Sequence, residues 1–261
     1  WWHAADLLIP GAAEKLIKAV RPELLLHLAW CTEPGTYWES PENARWLEAS
    51  CALMRAFAAC GGHRAVATGT CAEYDWAHAG AALSEELTPL APRGRYGEAK
   101  DALRREVDRL SASAALSAAW ARLFFLFGPG EHPSRLVPSV TRAVLEGRPA
   151  PCTEGGQVRD YLASGPAGRA LAALLESSVR GPVNVASGRG TSVRKLVELI
   201  AGAAGRPDLP RFGAVPSRPG EPARIVADVT RLEQEVGWQA PTNLTEEVEA
   251  TVEWWRGVGR V

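Results

Sequence analysis

Methionine is nearly absent from this chain of 261 residues: Met54 is the only one, and the N-terminus reads Trp1-Trp2-His3. A translated chain opens on methionine, so the sequence predicts a protein whose beginning is missing. An excess of either charge is also lacking, because the formal net charge is −1. That gives no electrostatic footprint for nucleic acid or for an acidic membrane surface. No apolar run approaches the ~18 residues that a membrane span needs. The five cysteines, Cys31, Cys51, Cys60, Cys71 and Cys152, are odd in number, form no C-x-x-C pair and follow no secretory signal. Reduced thiols in a cytoplasmic protein are therefore expected, with Cys71 an inert buried thiol and no metal site. The sequon at Asn243-Leu244-Thr245 is then accidental. Lysine and tyrosine are scarce too: Lys15, Lys18, Lys100 and Lys195 are the lysines, and Tyr37, Tyr74, Tyr96 and Tyr161 the tyrosines. Arginine heavily outnumbers lysine, which suits single guanidinium groups placed for particular anions.

What is present is an alternation of strands and helices. The apolar content of 46% over this length supports a full core in one or two domains. A helix-like stretch at 11–20 precedes "LLLHLAW" (24–30), which reads as a buried parallel strand. A helix is predicted over 41–62, with Pro41 near its start and Gly61-Gly62 as its stop. "RAVATGT" (64–70) reads as the next strand, and a helix containing Tyr96 runs to about Ser113. "SAAWARLFFLFGPG" (117–130) reads as one long strand. This order predicts an α/β protein with a parallel sheet covered on both faces. Beyond 130 the texture is less regular, with helices near 136–147, 167–178, 192–204 and 244–256, and a strand at 182–187. The expected division is 1–128 and 129–261, with the strand at 182–187 able to return to the first sheet.

Within "PRGRYGEAK" (92–100), Tyr96 and Lys100 lie one helical turn apart and share a face. Alone, such a pair is more often a surface feature. Thr70, however, ends the strand 64–70, where ligands bind open α/β sheets. A phenol of pKa about 10 is a poor base at neutral pH, and a nearby ammonium favours the phenolate. The expectation is that Lys100 lowers the Tyr96 pKa, Tyr96 exchanges a proton with a substrate oxygen, and Thr70 holds that oxygen.

Eight segments in order make the chain resemble an extended short-chain dehydrogenase/reductase of the nucleotide-sugar epimerase/dehydratase/reductase group. They are "HAADLL", "HLAW", Asn43 in its helix, "TCAEY", "RYGEAK", "RLFFLFGPGE", "GQVRDYL" and "SRPGEP…ADVTRLEQEVGW". The resemblance implies a doubly wound Rossmann parallel sheet, N-terminally truncated, with a smaller C-terminal α/β substrate lobe. It implies NAD or NADP as cofactor, contacted by Asp6, Leu7, His27, Ala29, Trp30, Asn43, Tyr96 and Lys100. From the residues alone, His27 reads as a satisfied buried histidine. The implied substrate is a nucleoside-diphosphate sugar, met by Thr70, Phe125, Arg159 and Arg218. The catalytic set would be Thr70, Tyr96 and Lys100, and a homodimer would form through the helices at 41–60 and 94–113.

The departures from that family carry information as well. Cys71-Ala72 stands where sugar 4,6-dehydratases place Asp-Glu, and Ala72 where the 3,5-acting epimerase-reductases carry cysteine. Both chemistries are disfavoured, leaving C4 epimerisation or keto-sugar reduction, while Phe125 replaces a polar asparagine and favours a reductase. The alternative is a non-catalytic remnant of such an enzyme. The Gly-x-x-Gly-x-x-Gly turn that brings a pyrophosphate to a helix amino end occurs nowhere in the sequence. This chain is therefore expected to bind dinucleotide feebly or not at all; tight NAD or NADP binding in equilibrium dialysis would contradict that expectation.

Overall fold

The computed structural model describes residues 1–78, 80–113 and 116–258. In chain order the first elements are α1 (Ala12–Val20), β1 (Leu24–His27), α2 (Glu42–Ala59), β2 (Arg64–Thr70), α3 (Gly94–Ser113), β3 (Ser117–Leu123) and β4 (Phe125–Phe127). There follow α4 (Leu136–Leu145), β5 (Ala150–Pro151), β6 (Val158–Ala163), α5 (Ser164–Glu176), β7 (Gly181–Val185), β8 (Gly190–Ser192) and α6 (Val193–Ala203). The last are β9 (Pro210–Arg211), β10 (Arg224–Ile225), α7 (Thr230–Gln234) and α8 (Leu244–Val258). No helix among the described residues is long and apolar enough to cross a membrane.

Side chains alternate across a strand, and β2 is buried along its whole length, so its two faces need two layers of cover. Ala65 and Ala67 meet Leu53, Met54 and Phe57 of α2 and Leu103 and Val107 of α3, while Val66 lies in a second core with Ala167, Ala170, Leu171 and Leu174 of α5. The sheet between them runs β1-β2-β3-β7, every neighbouring pair parallel. This is the doubly wound arrangement expected. A second sheet, β10-β6-β4, has β8 antiparallel on β6. Its core draws on α4, α6 and α8, with Val140, Val144, Leu196, Ile200, Val248 and Val252 around Phe127.

Two sequence readings change in detail. The strand predicted over 24–30 stops at His27, because Trp30 turns to bond Asn43 instead of continuing the ladder. The long strand predicted over 117–130 is two strands in different sheets: β3 pairs with β2 and β7, β4 pairs with β6. The break is Phe124, which is buried with Tyr74, Leu83 and Ile225 between the sheets. The strand predicted at 182–187 does return to the first sheet, as β7 beside β3.

A buried polar chain ties these layers together. Glu73, entirely buried, accepts from the backbone N–H of Thr70 (2.8 Å), Trp120 Nε1 (3.0 Å) and Arg122 Nε (2.8 Å). Arg122 Nη1 donates to the Tyr74 hydroxyl (3.1 Å), and that hydroxyl donates to Asn184 Oδ1 (2.7 Å) on β7. Asn184 Nδ2 then donates to Leu83 O and Asp228 O. Gly69 is what lets the carboxylate approach: a Cβ there would lie 2.1 Å from Trp120 Nε1 and 2.4 Å from Glu73 Oε1. Breaking a buried ion pair on one side leaves an uncompensated charge, at about 3–5 kcal/mol. Arg122→Met should therefore lower unfolding stability in urea by roughly that amount, and the double variant Glu73→Leu/Arg122→Met should lose less. A single-variant loss below about 1 kcal/mol, the ceiling of an exposed pair, would show that the network is not load-sharing.

Candidate active site

The site is built where β2 ends. Thr70 terminates β2 as a capping residue: its hydroxyl accepts from Ala72 N–H at 3.2 Å, and Glu73 reaches back to its own N–H. Across from it, α3 presents Tyr96 and Lys100 on one face. Lys100 is 3% exposed, and its ammonium donates to Thr68 O at 2.9 Å and lies 6.0 Å from the centre of the Tyr96 ring. The Thr70 side chain is close enough to the Tyr96 phenol to lower its pKa, against the larger effect of burial. The three side chains singled out from the sequence therefore share one set of surroundings.

Their proton states differ from the expectation. Burial raises the Tyr96 pKa, Tyr37, Cys71 and Glu73 add to the rise, and Thr70 opposes it. The phenol is thus protonated at neutral pH: burial is the largest influence on it, where the sequence led us to expect Lys100 to make this tyrosine acidic. Lys100 itself is brought down to about 7 by burial, with Glu73 pulling the other way. His27 falls to about 4 through burial and the Lys100 charge, and its Nε2 pairs with Ser50 Oγ at 2.8 Å. Cys71 is buried and its thiol pushed up to about 12, first by burial.

Aromatic residues that the sequence reading passed over enclose the phenol. Tyr37 stands edge-on to Tyr96 at 4.9 Å and Trp38 at 5.8 Å, with Trp76 next to Trp38 at 6.2 Å. Backbone pairing fixes the approach, since Tyr96 N–H donates to Trp38 O at 3.0 Å. The run Tyr37-Trp38 in an otherwise polar loop was the available signal. Charges from Arg135 and Arg218 reach Tyr37, and Arg135 also acts on Glu131, whose carboxyl is raised to about 7 by burial.

The remaining sequence-derived residues fall in different settings. Arg218 is exposed. Arg159 is buried, donates to Glu221 Oε1 (2.7 Å) and Pro222 O (2.9 Å), and lies 5.5 Å over the Phe125 ring. Asp160 is not its partner: that carboxylate accepts from Ser187, Gly188 and Ala227. Phe125 in turn meets Tyr161 at 6.1 Å. Asp6 is exposed and accepts from Leu8 N–H, Leu7 packs at the α1–α2 core, and Ala29 is half-buried.

The residues expected at a dinucleotide are largely engaged with one another. Asn43 Oδ1 accepts from Trp30 Nε1 at 2.9 Å, and its Nδ2 donates to Tyr37 O and Ser40 O. The Trp30 ring centre lies 3.9 Å from the Lys100 ammonium. The amine is thus covered by the indole, the asparagine amide is satisfied and the imidazole is bonded to Ser50.

The comparisons place the chain in a family. The profile of the NAD dependent epimerase/dehydratase family matches residues 1–186, and the chain belongs to that family. It is 30% identical over 192 residues to a probable dTDP-glucose 4,6-dehydratase of Sinorhizobium fredii, covering 66% of this chain and 51% of that protein. It is 28% identical over 224 residues to a UDP-glucose 4-epimerase of Corynebacterium glutamicum, covering 79% and 65%. The chain thus spans about half the length of the first of these curated relatives. Among solved structures, UDP-glucose 4-epimerase of Thermotoga maritima with UDP-glucose superposes with a TM-score of 0.86 at 22% identity, over 98% of this chain and 84% of that one. UDP-glucose 4-epimerase of Thermus thermophilus in complex with NAD gives 0.84 at 26% identity, over 97% and 83%.

Proton linkage gives a test of the buried amine. An unfolded lysine holds its proton up to pH ~10.4, whereas folded Lys100 releases it near 7. Between those values the unfolded state binds more protons, so this group makes stability rise with pH, by at most about 1.4 kcal/mol per unit. Lys100→Met should be more stable than the parent at pH 6 in chemical unfolding, with the advantage shrinking towards pH 10. An advantage that is constant across that range would contradict a depressed amine.

Proposed function

We propose that this chain supplies the acid–base residues of an NAD(P)-dependent oxidoreductase or epimerase acting at C4 of a nucleoside-diphosphate sugar, either a ketoreductase or a 4-epimerase. The observation that carries the reading is the meeting of Thr70, Tyr96 and Lys100 at the end of β2. Family membership supports the broad class, and epimerases acting at C4 of UDP-sugars are among the relatives and the superposed structures.

In this reading Tyr96, neutral at physiological pH, donates its proton to the sugar oxygen as negative charge develops there, and Thr70 steadies that oxygen by a hydrogen bond. A protonated phenol suits reduction of a keto-sugar most directly. Arg218 contacts the diphosphate, a role that suits an exposed guanidinium. Arg159 serves it from behind, because its bonds to Glu221 and Pro222 fix the loop that carries Arg218. A homodimer through α2 and α3 belongs to the same reading; the outward side of those helices carries the Arg55–Glu106–Arg109 ion pairs.

Dehydration of a 4,6-type fits less well, although 4,6-dehydratases are among the relatives. The two positions after Thr70 hold a buried thiol with its pKa pushed up to about 12 and a methyl group, and neither takes up or gives up a proton at neutral pH. Glu73, next in line, is fully buried and bonded to Arg122, Trp120 and Thr70 N–H. A non-catalytic remnant is the rival reading, favoured by the engagement of Lys100 and Asn43 with Trp30.

The test is to incubate the purified protein with a panel of nucleotide sugars while following the absorbance of reduced nicotinamide. A reductase consumes it, and an epimerase interconverts sugars without net change. Tyr96→Phe should lower turnover by about 10²–10⁴, the usual worth of a general acid. A drop of less than about tenfold would remove Tyr96 from that role.

A further inference from the structure

Lys100 lies beneath a cover that its helix does not supply. An ammonium has three donors, and among the described residues Thr68 O is the one acceptor recorded for it. In place of further oxygen partners it faces an indole, with the ring centre of Trp30 at 3.9 Å, a distance at which cation–π attraction is strong once water is excluded. Trp30 is half-buried while Lys100 is 3% exposed, so the indole forms part of the layer between amine and solvent. Other groups felt by or near the amine are His27 on β1, Glu73 after β2 and Tyr96 on α3.

The indole is also held in place. Its Nε1 donates to Asn43 Oδ1, and the asparagine is anchored by its own bonds to Tyr37 O and Ser40 O. Trp46 of α2 packs behind at 6.3 Å and Tyr96 stands edge-on at 6.4 Å. Trp30 lies beyond the end of β1, in a stretch with no regular backbone pairing. Turning it aside would open its hydrogen bond to Asn43 and the ring contacts while leaving the sheet intact.

We propose that Trp30 is a positioning residue for Lys100: held by Asn43, its indole seals the amine, and a hydroxyl-bearing ligand reaches that amine only when the indole turns aside. This also accounts for a family that uses NAD and a chain whose amine is covered. The seal is a property of the folded chain and holds whether or not the chain turns over a sugar, so its failure and the failure of the proposed activity are separable.

The test is trace acetylation with acetic anhydride across pH 6–10, read by mass spectrometry on the purified chain. Lys15, Lys18 and Lys195 are exposed and serve as internal references, and labelling of the buried Cys71 thiol reports local unfolding. In the wild-type chain Lys100 should react at least about tenfold more slowly than the references, after correction for the fraction of free amine. Trp30→Ala should raise its rate at least about tenfold and move its titration midpoint upward by about one unit or more, with Cys71 still protected. Asn43→Leu, which frees the indole without removing it, should give an intermediate gain. The proposal fails if wild-type Lys100 reacts like the references, a result that needs no variant. It also fails if Trp30→Ala leaves rate and midpoint unchanged, or if Cys71 becomes reactive in parallel with Lys100.

Discussion

The fold and the candidate site both depend on one buried carboxylate. Glu73 holds the backbone of Thr70, the indole of Trp120 and the guanidinium of Arg122 at hydrogen-bond distance with no exposure to water. A carboxylate so placed is stable only because each partner is a donor fixed by a neighbouring strand. It therefore sets the turn after β2 and the position of the Thr70 hydroxyl. Its charge reaches further, adding to the rise of the Tyr96 pKa and opposing the fall of that of Lys100. Through Arg122, Tyr74 and Asn184 the same chain reaches the loops that carry Leu83 and Asp228, so the site floor and the outer loops are fixed together.

Water exclusion sets the chemistry of this site more than pairwise charge does. The aromatic ring of Tyr37, Trp38 and Trp30 around Tyr96 keeps its phenol protonated, and the same dryness brings Lys100 down towards neutrality. The proton affinities of amine and phenol, nearly matched in water, are thereby driven apart: the phenol keeps its proton and the amine gives its up near neutrality. A ligand oxygen entering between Thr70 and Tyr96 would meet a donor, while the amine stays behind an indole.

Much of this could be read from the sequence. The strand ending at Thr70 and the one-turn spacing of Tyr96 and Lys100 follow from local pattern, and the alternation of elements gave the doubly wound sheet. Three things were hidden. A fully buried Glu73 has no hydropathy signal, and its partners Trp120 and Arg122 lie 47 and 49 residues away. The split of β3 from β4 at Phe124 depends on which sheet captures each half, a tertiary choice that an unbroken apolar run cannot reveal. The acidity of Tyr96 was misjudged because spacing gives proximity to Lys100 but says nothing of solvent, and the rings that exclude water come from a loop far upstream. Arg159 shows the same limit: its partner Glu221 lies 62 residues away and no local pattern points to it.

The central claim, that burial rather than the lysine charge governs the phenol, is open to direct titration. Tyr37, Tyr74, Tyr96 and Tyr161 are the only tyrosines, and burial raises the pKa of all four. Ultraviolet titration of the folded chain should show no phenolate absorbance until the pH passes the ordinary tyrosine value of about 10. A phenolate appearing about two units below that value, and lost in Tyr96→Phe, would contradict the account.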